Sequence, residues 1–228
     1  MSDILGKLDF SRLLELLLGV VPSLLCITLH ELSHGLVAYA LGDDTAKLSG
    51  RLTLNPLKHI DIFGLVMMVV AHVGWAKPVP VDMRKFREPR RGMALTALAG
   101  PMCNVLITCV FFFIYGLVYY PVMKNGGSAA GAYVLEMLRL TGVISIGYAV
   151  FNLIPIPPLD GSKVLFAVAG DRVYYWLMRY ERYGMILLYA LVFTNLLNGP
   201  LFAARNFMVS KLSIFAQLGL NAARLLFA

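Results

Sequence analysis

Residues 16–41 are mostly Leu, Val, Ala and Gly. That run is longer than the ~20 residues a helix needs to cross the hydrocarbon of a bilayer. In lipid only helices and closed barrels satisfy every backbone polar group, so this run constrains the chain to a membrane-embedded helix. Yet it carries His30, Glu31 and His34 within five positions. Ionisable groups at bilayer depth are costly, and they mark function more often than scaffolding.

The remaining chain agrees with a membrane setting. It has 228 residues, 59% hydrophobic and 14% charged, against roughly a quarter charged in soluble domains. A single domain over residues 1–228 is expected: an all-α polytopic bundle of about four to six transmembrane or re-entrant helices in a lipid bilayer. Further spans are predicted at 93–122, 132–156 and 183–203, the last broken at Asn198-Gly199-Pro200. Residues 62–75 are too short for a comfortable crossing and suit a re-entrant element. Residues 1–15 read as an amphipathic lead-in and 205–228 as an amphipathic tail at the membrane surface. There is no internal repeat.

Two polar stretches interrupt the apolar pattern. Residues 45–55 partly alternate polar and apolar side chains, which predicts a short strand or hairpin and a surface to which a substrate could add as a strand. Asn55-Pro56 marks a turn. The loop 77–91 holds Lys77, Arg84, Lys85, Arg87, Arg90 and Arg91 against Asp82 and Glu88. Basic loops stay in the cytosol, which places this one there and Asp160 at the cytosolic end of the third span. The net charge of +7 is thus a topogenic signal. No polar segment interleaves aromatic and basic residues, so no nucleic-acid partner is expected. Cys26, Cys103 and Cys109 lie in apolar runs and read as buried free thiols.

His30-Glu31-Leu32-Ser33-His34 has the H-E-x-x-H pattern. Histidines at i and i+4 share a helix face, so both rings can reach one zinc ion. Glu31 lies about 60° round the helix from His34 and about 100° from His30. It is beside the ion rather than aimed at it, which suits a general base for a water molecule. The competing reading is a polar cluster between helices. A catalytic zinc takes three protein ligands, so a third is needed. Asp160 closes the proline-rich run from Asn152 at the edge of the third span, where prolines forbid regular helix and a carboxylate can be aimed into the bundle. Equally, it reads as the N-cap of a helix starting near Ser162.

These motifs in combination resemble the site-2 protease family of intramembrane zinc metalloproteases. The resemblance rests on HELSH, Gly100-Pro101-x-x-Asn104, Asn152-x-x-Pro155-x-Pro157-x-Leu159-Asp160-Gly161 and the segment 74–81, and it extends over residues 29–164. It implies one Zn2+ held by His30, His34 and Asp160, with Glu31 activating water and Asn152 positioning substrate or stabilising the oxyanion. It also implies a minimal member without a PDZ or regulatory domain, acting on a transmembrane protein or peptide substrate in a prokaryotic cell membrane; the charge of the 77–91 loop puts the site toward the cytosol. Asn104 matches a family position near the site. His59 is expected to bond its own loop, and His72 to be a satisfied core residue. The other class open to such a chain is a non-catalytic metal-binding scaffold or transporter, which needs no water-activating Glu31.

Overall fold

The computed structural model describes residues 10–61, 64, 76–169 and 183–227. Of the predicted re-entrant element at 62–75 only residue 64 is described; His72 and residues 1–9 of the 1–15 lead-in lie outside the described residues.

Helix α1 spans Phe10–Ala40. Its end follows from Gly42, which sits at φ +104°. The Gly42 N–H reaches the Tyr39 carbonyl and the Asp43 N–H the Ala38 carbonyl at 2.9 Å. This is the glycine-terminated pattern that satisfies the last helical carbonyls.

The strand or hairpin expected over 45–55 is not formed. Thr45–Leu48 is a helical turn, α2, and among the described residues the sole β feature is an isolated bridge between Ile60 and Ala76. Asp43 supplies the reason. Its Oδ1 accepts from the Thr45 N–H at 3.0 Å and from the Thr45 hydroxyl, which starts the turn. Ala46 is then buried and Gly50, at φ +62°, ends it. A short polar–apolar alternation fits one helical turn as well as a strand. Asn55 does begin a turn, a 3₁₀ segment at Pro56–Lys58 whose Leu57 N–H it caps.

Helix α3, Pro89–Lys124, begins with a proline at its first position, where a missing N–H costs nothing. Helix α4 spans Ala129–Asn152. Helix α5 is Asp160–Val168. After it come α6 (Tyr183–Phe193), α7 (Asn198–Leu212) and α8 (Ile214–Phe227). Among the described residues three helices are long and apolar enough to cross a membrane, and a fourth span is made if the bent pair from Tyr183 to Phe227 is counted as one. That pair turns by 86°.

Helix α3 is the hub, in contact with α1, α4, α5 and α8. Its buried face runs Gly92, Thr96, Gly100, Pro101, Asn104, Thr108, Phe112, Gly116. The opposite face exposes Met102, Leu106 and Val110, with Leu106 63% exposed. This reverses a soluble helix: small and polar groups face protein, where they hydrogen-bond and allow close approach, and large apolar groups face outward, as packing between membrane helices requires.

Candidate metal centre

His30 and His34 lie on one face of α1, one turn apart, and both are buried. The return loop 153–159 and the start of α5 bring Asp160 to them. His30 Nε2 and His34 Nε2 each stand 3.2 Å from Asp160 Oδ2 and 3.0 Å from one another. Among the described residues this is the one group of three or more His, Cys, Asp or Glu able to hold a metal ion, and its three ligand atoms lie within 4.8 Å of each other.

Asp160 is not a helix cap here. It is the first residue of α5, Leu159 occupies the cap position, and the carboxylate is directed at the rings. Its other oxygen lies 3.6 Å from Lys163 Nζ. Gly161 makes this arrangement possible, because a Cβ there would collide with the Leu153 carbonyl at the end of α4.

The far side of each ring is also engaged. His34 Nδ1 donates to the Thr96 carbonyl at 2.7 Å. A carbonyl can only accept, so Nδ1 carries the proton and Nε2 presents its lone pair to the cluster. His30 Nδ1 lies 3.0 Å from the Asn104 side-chain amide. Histidine ligands of metals are typically held this way by an outer partner.

Gly100 faces both rings from α3. A Cβ added there would stand 2.6 Å from His30 Nε2 and closer still to His34 Nε2. The missing side chain leaves open the space onto which the ligand atoms converge.

Glu31 lies beside the cluster without joining it. Its Oε2 accepts the Val79 N–H at 2.9 Å. Val79 belongs to an extended segment that the Arg51 guanidinium holds at the Lys77 carbonyl (2.7 Å) and Asp43 holds at the Asp82 N–H (2.7 Å). Asn152 stands apart: its Nδ2 donates to the Tyr148 carbonyl at 3.1 Å. His59 donates to the Thr53 carbonyl at 2.9 Å, the loop bond expected of it. Cys26 contacts the Thr141 carbonyl and is not in the cluster.

Sequence comparison gives this geometry its context. A model of Peptidase family M50 matches residues 117–197, a stretch that includes Asn152 and Asp160. Over 188 residues the chain is 38% identical to "Putative zinc metalloprotease YwhC" of Bacillus subtilis (strain 168), covering 78% of this chain and 80% of that protein. The chain belongs to peptidase family M50. It is thus a zinc metalloprotease with several membrane-crossing helices, as the resemblance to site-2 proteases implied. "Putative zinc metalloprotease Rip2" of Mycobacterium tuberculosis (strain ATCC 25618 / H37Rv) is 28% identical over 183 residues, 78% of this chain and 68% of that protein. "Putative zinc metalloprotease MJ0611" of Methanocaldococcus jannaschii is 33% identical over 137 residues, 60% and 62% of the two chains. No solved structure matches.

The cluster fits the family's metal. Zinc–nitrogen and zinc–oxygen bonds of about 2.1 Å in a tetrahedron separate ligand atoms by about 3.4 Å. The separations of 3.0 and 3.2 Å lie just inside that value. Two neutral imidazoles and a carboxylate are also a usual donor set for catalytic zinc. Sequence reasoning left three supports unassigned. Thr96 and Val79 act through main-chain groups, which leave no side-chain signature. Gly100 acts by having no side chain, and only its place in the Gly100-Pro101-x-x-Asn104 run pointed to it.

Proposed function

We propose that this chain is an intramembrane endopeptidase in which His30, His34 and Asp160 hold one zinc ion, Glu31 is the general base and Asn152 assists at the oxyanion. Its substrate is a peptide bond within or beside a transmembrane helix. The observation that carries this reading is the convergence of two imidazole Nε2 atoms and a carboxylate oxygen on a space kept clear by Gly100, with both histidines on a helix long and apolar enough to cross a membrane.

Bound zinc supplies a Lewis acid, able to polarise a carbonyl and to bring the pKa of water to about 7. The chain's own groups do the rest. The Val79 N–H fixes one oxygen of Glu31, and the other takes a proton from the attacking water. As the water oxygen bonds to the scissile carbonyl carbon, the carbonyl π pair moves onto its oxygen. Asn152 has two amide hydrogens and uses one on Tyr148, so the second is available to that oxygen. When the C–N bond breaks, Glu31 returns its proton to the departing nitrogen. A helical substrate has its backbone carbonyls bonded internally and must unwind locally to enter.

The basic 77–91 loop supports a cytosolic site, and the bacterial and archaeal relatives support a prokaryotic cell membrane. The test compares wild type with Glu31→Gln, measuring bound zinc and cleavage of single-span helical substrates in micelles. Stoichiometric zinc in both and cleavage by wild type alone are expected. Equal cleavage by both would sink the mechanism, and absence of zinc from wild type would sink the metal centre.

A further inference from the structure

We infer that Asn104 sets the tautomer of His30: its side-chain carbonyl accepts the Nδ1 proton, so that the Nε2 lone pair is free for zinc. The inference rests on the zinc-centre reading and adds a positioning residue to it.

Two observations carry it. Asn104 is completely buried, and one end of its amide lies 3.0 Å from His30 Nδ1 while the other end has no partner. Its main chain is also held in place. The Asn104 carbonyl accepts from the Ser145 hydroxyl of α4 at 2.9 Å. Thr108 Oγ1 lies 3.0 Å from that carbonyl and 3.1 Å from the Gly142 carbonyl, its single hydrogen shared between them. A residue anchored by main chain on one side, with its amide against a ring nitrogen on the other, is built to orient that ring.

The contrast with His34 gives the role its content. Thr96 offers His34 a carbonyl, which permits one tautomer. Asn104 offers an amide, whose oxygen and nitrogen ends are set by the network and not by shape. With Nδ2 toward the ring, His30 Nδ1 accepts, and the proton sits on Nε2, where it can be donated to Asp160 Oδ2, 3.2 Å away. With the amide turned by 180°, Oδ1 accepts from Nδ1–H and Nε2 is bare. The second arrangement is the one that leaves Nε2 free for zinc. An acceptor is the essential feature at this position.

The test uses the full chain in detergent, as wild type, Asn104→Asp and Asn104→Leu, with zinc affinity read by competition with a chromophoric chelator. Aspartate keeps the shape and can only accept, so its affinity stays within about threefold of wild type. Leucine loses the acceptor and weakens zinc about 10- to 100-fold. Wild-type affinity in Asn104→Leu overturns the inference, and so does a loss in Asn104→Asp as large as in Asn104→Leu. A second measurement needs no variant that might misfold. In zinc-loaded wild type the His30 Nδ1 proton, followed by ring-nitrogen NMR, exchanges slowly with water, and fast exchange overturns the assignment. If wild type itself takes up no zinc, the metal centre fails along with the inference, and that failure shows before any variant is compared.

Discussion

Two glycines of α3 do opposite things. At Gly100 the missing side chain keeps a space open beside His30 and His34. At Gly116, about 24 Å further along the helix at 1.5 Å per residue, the missing side chain lets a neighbour close in. A Cβ there would collide with the Ala216 carbonyl of α8, and one on Gly219 with the Phe113 carbonyl of α3. Close approach through small residues is how membrane helices associate when lipid removes the hydrophobic incentive. One end of α3 is therefore polar and hollow, hydrogen-bonded through Thr96, Asn104 and Thr108. The other is a seam of backbone against backbone. Residue type alone does not distinguish a glycine that makes room for an ion from one that makes room for a helix. What each glycine faces does.

The sharpest way to break this comparison is Gly100→Ala. One methyl group enters the space between the two Nε2 atoms, so bound zinc should fall below stoichiometry and cleavage should drop about 100-fold or more, the scale of a 1 Å misplacement at a reacting centre. Thermal unfolding of the metal-free protein should also come somewhat earlier, because the methyl stands under 3 Å from both rings, which Thr96 and Asn104 hold from behind and which must shift to admit it. Zinc content by atomic emission, read beside unfolding, separates the two effects. Normal zinc content in Gly100→Ala would end the idea that this glycine shapes the site.

The mirror experiment is Gly116→Ala or Gly219→Ala. Here the added methyl meets main-chain carbonyls that cannot swing away, so α3 and α8 must separate. Overpacking of this kind costs about 1–3 kcal/mol, measurable by denaturation in mixed micelles. Zinc affinity should be preserved, since the seam lies far from the ligands. A loss of zinc comparable to that in Gly100→Ala would mean that the two ends of α3 are coupled.

How much of this was legible in the sequence depended on where the determining group resides. HELSH is local and carries side-chain chemistry, so it stood out from its apolar surroundings. Asp160 was ambiguous between ligand and cap until its position was known, because both need a carboxylate at a helix start. The 45–55 stretch was misread as a strand because its alternation is too short to fix a period, and the Asp43–Thr45 bond that makes it a helical turn involves a residue outside the pattern. The break in the last span was expected at Asn198-Gly199-Pro200, but it falls just before, where Asn195 takes φ 58°. Pro200 instead sits in the first turn of α7, where its missing N–H goes unnoticed. The main-chain contribution of Thr96 had no sequence signal, and that of Val79 was marked only by its place in the segment 74–81.

A third region tests whether the site's outer loops resemble the hollow end or the seam. Lys85 bonds the exposed Asp44 and lies 3.9 Å from the buried Asp43, linking the end of α1 to the basic loop. The Lys85 ammonium holds the Asp44 carboxyl below its ordinary value. A carboxyl lowered by folding stabilises the fold above its unfolded value of about 3.9, and this is lost as pH falls through the lower folded value. Asp44→Asn should therefore reduce the thermal midpoint slightly near pH 7, and the difference from wild type should vanish at acid pH. High salt should shrink it too, since the pair is exposed and screened. A large loss of zinc or of stability in Asp44→Asn at neutral pH would show that this surface clamp is coupled to the metal centre, through the Asp43–Asp82 bond and the segment that ends on Glu31.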